Sequence, residues 1–196
     1  FILDIPLLAQ EFIDKAKRPI FYLDHHQPQP LKELHYFNPR FKDPEAYLPT
    51  SYMAYQINPE ELWIAAVGCL ADYYMPDFMP QIIARYPLLL DQMTDLPTAL
   101  YQKPIGKLVR LFSFLLKGSL VEVKKSVKIL SRIKGPEELL NQTTSQGRFL
   151  FKRFEKINLK YETLLEQAKK QASRSRILLF LYTEQEWSFT TDLSNE

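Results

Sequence analysis

Cysteine, glycine and histidine are all scarce in this chain. The single cysteine, Cys69, excludes an internal disulfide and fits a reducing compartment, so a cytoplasmic protein is expected. Five glycines and 14 prolines, gathered in no biased tract, exclude collagen-like and disordered compositions. No apolar run approaches the roughly 20 residues of a membrane-spanning helix, so no membrane partner is expected. The opening "FILDIP" reads as a strand already under way rather than a signal peptide. With Phe at residue 1 and a strand-like run before the closing "DLSNE", a fragment cut at both ends is expected.

What is present supports one real core, or one domain and part of another: 196 residues, 46% of them hydrophobic. The net charge of +2 conceals two opposed halves. Residues 1–100 carry seven Lys/Arg against 13 Asp/Glu, a net of −6, and residues 101–196 carry 18 against 10, a net of +8. An acidic half attracts cations and a basic half attracts polyanions.

The hydrophobic pattern is that of an α/β chain. "FILDI" (1–5) and "PIFYLD" (19–24) are short apolar runs, and "LLAQEFIDKAK" (7–17) between them has helical spacing. Strand, helix and strand in that order make a βαβ unit with parallel strands. "LHYFN" (34–38) adds a third strand. "TSYMAYQI" (50–57) reads as a helix capped by Thr or Ser. "NPEELWIAAVGCLADYY" (58–74) has a helix start in which Asn58 caps, Pro59 suits the first turn, and Glu60 and Glu61 suit the positive end. A short helix fits residues 78–86. From 105 to 172 the pattern is helical, broken near Gly118, Gly135-Pro136 and Thr143-Thr144. Its last segment, 145–172, has a seam at Leu150, Phe154, Ile157, Tyr161, Leu164 and Ala168. Strand character returns at 176–183 and 186–193.

Two of the three histidines stand side by side in "FYLDHHQP". Asp4 and Asp24 occupy corresponding ends of two parallel strands, where open parallel sheets bind their ligands. Asp4, Asp24, His25 and His26 therefore converge at one mouth, and carboxylates with imidazoles suit Mn²⁺ or Zn²⁺. Asp72 lies four residues beyond Gly68, on the same helical face; Gly68 would let that helix approach the sheet, and Asp72 would add a carboxylate. Singly, each residue has an ordinary structural use as a cap, a packing glycine or a solvated acid. It is their order and topology together that point to a metal centre able to activate water and clamp a phosphoryl group.

With "ILDIP", "LDHHQP" and "AAVGCLADYY" in this order, the chain resembles the DHH phosphoesterase superfamily, and within it the archaeal RecJ-like nucleases and phosphoesterases. The resemblance runs along almost the whole chain. It implies a DHH domain over 1–142 that includes a helical region (105–142), a linker helix over 143–172, and the first strands of a second, DHH-associated α/β domain over 173–196. It implies Mn²⁺ as cofactor, two ions in the complete site, with Mg²⁺ able to substitute. On this likeness Asp4 bridges the metals, while His25 and Asp72 bind one of them. Asp24 orients His25 or completes the metal shell, and His26 faces the substrate phosphate. His35 matches no ligand and reads as a strand residue. The family's His-x-Asp-x-Asp motif belongs on the strand before "FILDI" and is absent, so this chain alone is expected to show little activity.

The basic half carries nine Lys/Arg between residues 103 and 134 against one acid, Glu122. Arg148, Lys152, Lys156 and Lys160 recur every fourth residue as one stripe, spacing that can follow a phosphate backbone or simply form a solvated helix face. Phe112, Phe114, Phe149 and Phe151 read as core residues before stacking platforms. The expected function is metal-dependent phosphodiester hydrolysis, as an exonuclease on single-stranded DNA or RNA. The alternatives are a phosphatase of short oligonucleotides or small nucleotides, and a catalytically silent module that binds replication or repair proteins.

Overall fold

The computed structural model describes residues 1–92, 94–171, 178–183 and 186–195. The chain divides into two units, Phe1–Ala99 and Leu100–Glu196. The division falls where the charge changes sign. The helical region after residue 105 packs on the long helix that follows it.

The first unit is built on a three-stranded parallel sheet, β1 (Ile2–Leu3), β2 (Phe21–Leu23) and β3 (His35–Phe37), in the order β1-β2-β3. Ile2 pairs with Tyr22, and Tyr22 with Tyr36, so successive strands end level with one another. Helix α1 (Gln10–Lys15) makes the crossover between β1 and β2 and buries Ile13 against Ile20 and Tyr22. His35 is exposed on β3 with its ring stacked on Phe21, a strand residue as expected.

Beyond the sheet come α2 (Thr50–Ile57), α3 (Leu62–Ala71) and α4 (Met79–Arg85). The expected helix 58–74 is shorter than its pattern. Asn58 caps a 3-10 turn at Pro59–Glu61, and the α-helix proper begins at Leu62. Helix α3 is buried nearly all round, through Leu62, Trp63, Ala65, Ala66, Val67, Cys69 and Leu70, which makes it the centre of this layer. Burial pushes the Cys69 thiol up to about 11, so it stays protonated and inert near neutral pH. Gly68 does not bring α3 onto the sheet. A Cβ there would stand 2.6 Å from Ser51 Cβ, so the missing side chain lets α3 meet α2.

Helix α5 (Leu96–Gln102) spans the division. The second unit contains α6 (Pro104–Leu115), α7 (Leu120–Leu130), α8 (Pro136–Leu140), α9 (Ser145–Gln171) and α10 (Thr190–Ser194). Helices α6, α7 and α8 all pack on the 27-residue α9. The seam from Leu150 to Ala168 is buried at every position named from its spacing. Phe114 and Phe151 are core residues, whereas Phe149 is exposed beneath Lys125. Gly147 is required at the α8–α9 crossing, since a Cβ there would lie 1.8 Å from the Glu138 carbonyl oxygen.

The C-terminal strands do not form among the described residues. Residues 178–183 have no regular structure, and 190–194 are helical; residues 176 and 177 of the first expected strand lie outside the described residues. The alternation of Trp187 and Phe189 reflects burial against helices instead. Phe189 sits 5.7 Å from the Phe114 ring and 5.8 Å from Tyr161. No helix among the described residues is long and apolar enough to cross a membrane.

Candidate metal centre

Parallel pairing assembles the site at one edge of the sheet. The ladder continues one residue past each strand: the Asp4 N–H donates to the Leu23 carbonyl at 3.0 Å, and the Asp24 N–H to the Phe37 carbonyl at 3.1 Å. Asp4 and the Asp24-His25-His26 segment thus leave the sheet side by side, outside the carboxyl ends of the strands. Asp4 then enters the left-handed region, with φ of 58°, a conformation that aspartate tolerates better than most residues. His25 Nε2 lies 3.3 Å from Asp4 Oδ1. Thr50 donates its hydroxyl to the same oxygen at 3.0 Å. The expected Thr or Ser cap of α2 is therefore absent; Pro49 occupies the cap position and Thr50 serves the site.

Asp24 is fully buried, and both of its oxygens are used by one residue. Oδ2 accepts the His26 N–H at 3.0 Å, and Oδ1 stands 2.7 Å from His26 Nδ1. Paired with a carboxylate, Nδ1 carries the ring proton and Nε2 presents its lone pair. This carboxylate–histidine arrangement is the usual support of a metal-binding imidazole. Asp24 therefore orients His26, not His25 as the family likeness implied. The peptide between Asp24 and His26 bends back so that side chain and main chain of His26 meet one carboxylate.

One ligand atom from each of Asp4, His25 and His26 lies within 4.8 Å of the others. Donor atoms sharing one ion at bonds of about 2 Å stand up to roughly 4 Å apart, so a small closure suffices. His25 is 9% exposed, and its Nδ1 is buried with no hydrogen-bond partner. The nitrogen that faces Asp4, and that an ion shared with Asp4 would meet, is Nε2. Carboxylate plus two imidazoles fits Mn²⁺ or Zn²⁺ better than Ca²⁺.

Asp72 is not one of the three side chains so gathered. It forms the C-cap of α3, and its carbonyl accepts the Tyr47 hydroxyl. Burial pushes its carboxyl above the usual range; His25 and His26 oppose that shift and Asp4 adds to it. Asp72 thus feels the charge of the whole group from just outside it, and His26 takes the third position that the family likeness gave to Asp72. Arg148, Lys152, Lys156 and Lys160 are exposed along α9 in the second unit. The sequence marks Thr50 only as a helix cap, and Asn38, Arg40 and Tyr47 not at all. The signal for Asn38 and Arg40 was the third parallel strand, which ends at the same edge as the other two.

No protein-family model, curated protein or solved structure matches the chain.

Proposed function

We propose that Asp4, His25 and His26 bind a divalent cation of the Mn²⁺ type, and that this site serves phosphodiester hydrolysis on single-stranded DNA or RNA. The buried Asp24 carboxylate that fixes His26 with Nε2 available carries the proposal. A buried carboxylate whose two oxygens both meet one half-exposed histidine is placed to support a metal ligand. The likeness of "ILDIP", "LDHHQP" and "AAVGCLADYY" to DHH phosphoesterases supplies the reaction class. When bound, the cation would polarise a phosphoryl oxygen and acidify a water molecule. The protein's own residues hold the ligands in place: Thr50 on Asp4 and Asp24 on His26. Asp72, with its raised carboxyl, retains a proton to higher pH than an ordinary aspartate and lies within electrostatic reach of the group. In the second unit, the exposed cations of α9 would meet the nucleic-acid backbone.

The test is Mn²⁺ binding by the full chain, followed by loss of the free-ion EPR signal. Wild-type protein should bind, and His26→Ala should bind at least about tenfold more weakly, the usual scale of losing a ligand or its support. Equal binding by the two proteins would remove the metal centre.

A further inference from the structure

We infer that Arg40 anchors a phosphate of the substrate beside the Asp4–His25–His26 group, and that the Tyr47 ring receives the attached base, so the site recognises a nucleotide rather than bare phosphate. This rests on the metal centre proposed above.

The third strand carries the inference. β3 ends at Phe37, level with β2, and the next residues are Asn38-Pro39-Arg40. Asn38 is buried, and its side chain ties two segments together. Its Nδ2 donates to the His26 carbonyl at 3.0 Å, and its Oδ1 accepts the Arg40 N–H at 3.0 Å. The main chain of Arg40 is therefore fixed to the loop that presents His26. The guanidinium is fixed as well, with Nε donating to the Ala46 carbonyl at 3.3 Å and one Nη to Gln27 Oε1 at 3.5 Å. Both acceptors are neutral, and Arg40 makes no ion pair among the described residues. In a unit with 13 acids and seven bases, a half-buried arginine held by neutral groups keeps its charge for something else. A pre-oriented guanidinium fork matches phosphate oxygens in shape and charge.

Tyr47 follows Ala46, the residue whose carbonyl holds Arg40. Its ring centroid is 6.0 Å from that of His25, and its hydroxyl is pinned to the Asp72 carbonyl. The side chain is nevertheless 49% exposed. A ring fixed at its far end with an open surface is a stacking platform for a base, an interaction that tolerates any base because each has a π-face.

Binding of 5′-dTMP, thymidine and inorganic phosphate to the Mn²⁺-loaded full chain, measured by calorimetry, tests this. Wild-type protein should bind 5′-dTMP more tightly than either fragment. Arg40→Gln should lose about tenfold or more in affinity for 5′-dTMP, the scale of a charge-assisted hydrogen bond. Its thymidine and Mn²⁺ binding should be unchanged, and Arg40→Lys should recover part of the loss. Tyr47→Leu should weaken 5′-dTMP but not phosphate, while Tyr47→Phe, which keeps the ring and gives up only its hydroxyl tether, should lose less than Tyr47→Leu. The exposed Arg18→Gln change should do nothing. Unaltered 5′-dTMP binding by Arg40→Gln, with Mn²⁺ still bound, overturns the inference and leaves the metal centre standing. Loss of Mn²⁺ binding in Arg40→Gln also overturns it, since Arg40 would then be a structural support. Failure of the wild-type chain to bind Mn²⁺ removes the metal centre and the inference together.

Discussion

The two units use charge in opposite ways. In the acidic unit, polar contacts join histidines to aspartates at the edge of the sheet: His25 with Asp4 and His26 with Asp24. In the basic unit they join long side chains between helices and loops, as in Arg110–Glu162, Lys117–Asp192 and Arg153–Glu122. The first arrangement concentrates polar groups where the sheet offers no apolar partner, and leaves a nitrogen of His25 unsatisfied. The second spends its acids on fastening the bundle, so the surplus cations remain exposed. A change to the acidic unit's charges should therefore show in ligand binding, and a change to the basic unit's packing should show in stability.

Gly147→Ala should have the largest effect. The new methyl would collide with a backbone carbonyl at 1.8 Å, which cannot rotate away as a side chain could. Forced overpacking of this kind costs about 3 kcal/mol or more. Thermal unfolding of the second unit should fall well below that of wild type, with Mn²⁺ binding kept. Simultaneous loss of Mn²⁺ binding would break the division of labour between the units.

Asp24→Asn sharpens the same comparison from the other side. Asparagine can still accept the His26 N–H, but it no longer sets the ring's tautomer by charge. Mn²⁺ affinity should fall about 10- to 100-fold, as when second-layer carboxylates are removed elsewhere. The same substitution should leave unfolding of the helical unit unmoved. Unchanged affinity would mean that Asp24 supports only the turn.

How far the sequence discloses this depends on whether each feature is set by pattern or by local geometry. The parallel sheet follows from short apolar runs around a helical segment, and the meeting of Asp4 with His25 and His26 follows from parallel topology. The α9 seam follows from its spacing. Asp24's choice of His26 over His25 is settled by the bend of three residues leaving a strand, which spacing does not encode. Thr50 has the composition of a cap, yet its hydroxyl is drawn to a carboxylate 46 residues away in sequence. At Trp187 and Phe189, a two-residue apolar period resembles a strand, but burial, for Phe189 against Phe114 and Tyr161, decides the conformation.

A pH titration separates fastening charges from site charges. Glu122 belongs to the capping box at the start of α7, and hydrogen bonds from Ser119, then from Arg153, hold its carboxyl down at about 2 against an ordinary 4.5. Because the folded value is depressed, the unfolded chain binds more protons in this interval. Stability from this contact is full above about 4.5 and is lost as pH falls toward 2. Glu122→Gln should remove that part of the acid-induced slope while leaving the near-neutral Mn²⁺ affinity alone. An identical slope in the variant would show that other carboxylates govern acid unfolding.

The smallest effect on stability, and the most specific test of the basic unit, comes from the α9 stripe. Its four cations are exposed but not equivalent. Arg148 donates to the Gln142 carbonyl, and Lys156 lies over the Trp187 ring and within 3.6 Å of Glu186. Lys152 and Lys160 have no such engagement among the described residues, so they can follow a phosphate backbone without giving up an internal contact. Lys152→Gln with Lys160→Gln should barely move the unfolding temperature, because exposed charges contribute little. The log–log salt dependence of single-strand binding should flatten by about 0.7 for each lost phosphate contact, or about 1.4 for the pair. Arg148→Gln with Lys156→Gln should flatten it less, since those side chains are already partly spent on the fold. If neither pair changes the slope, the stripe is only a solvated helix face, and the positive surplus of the second unit has no part in holding a strand.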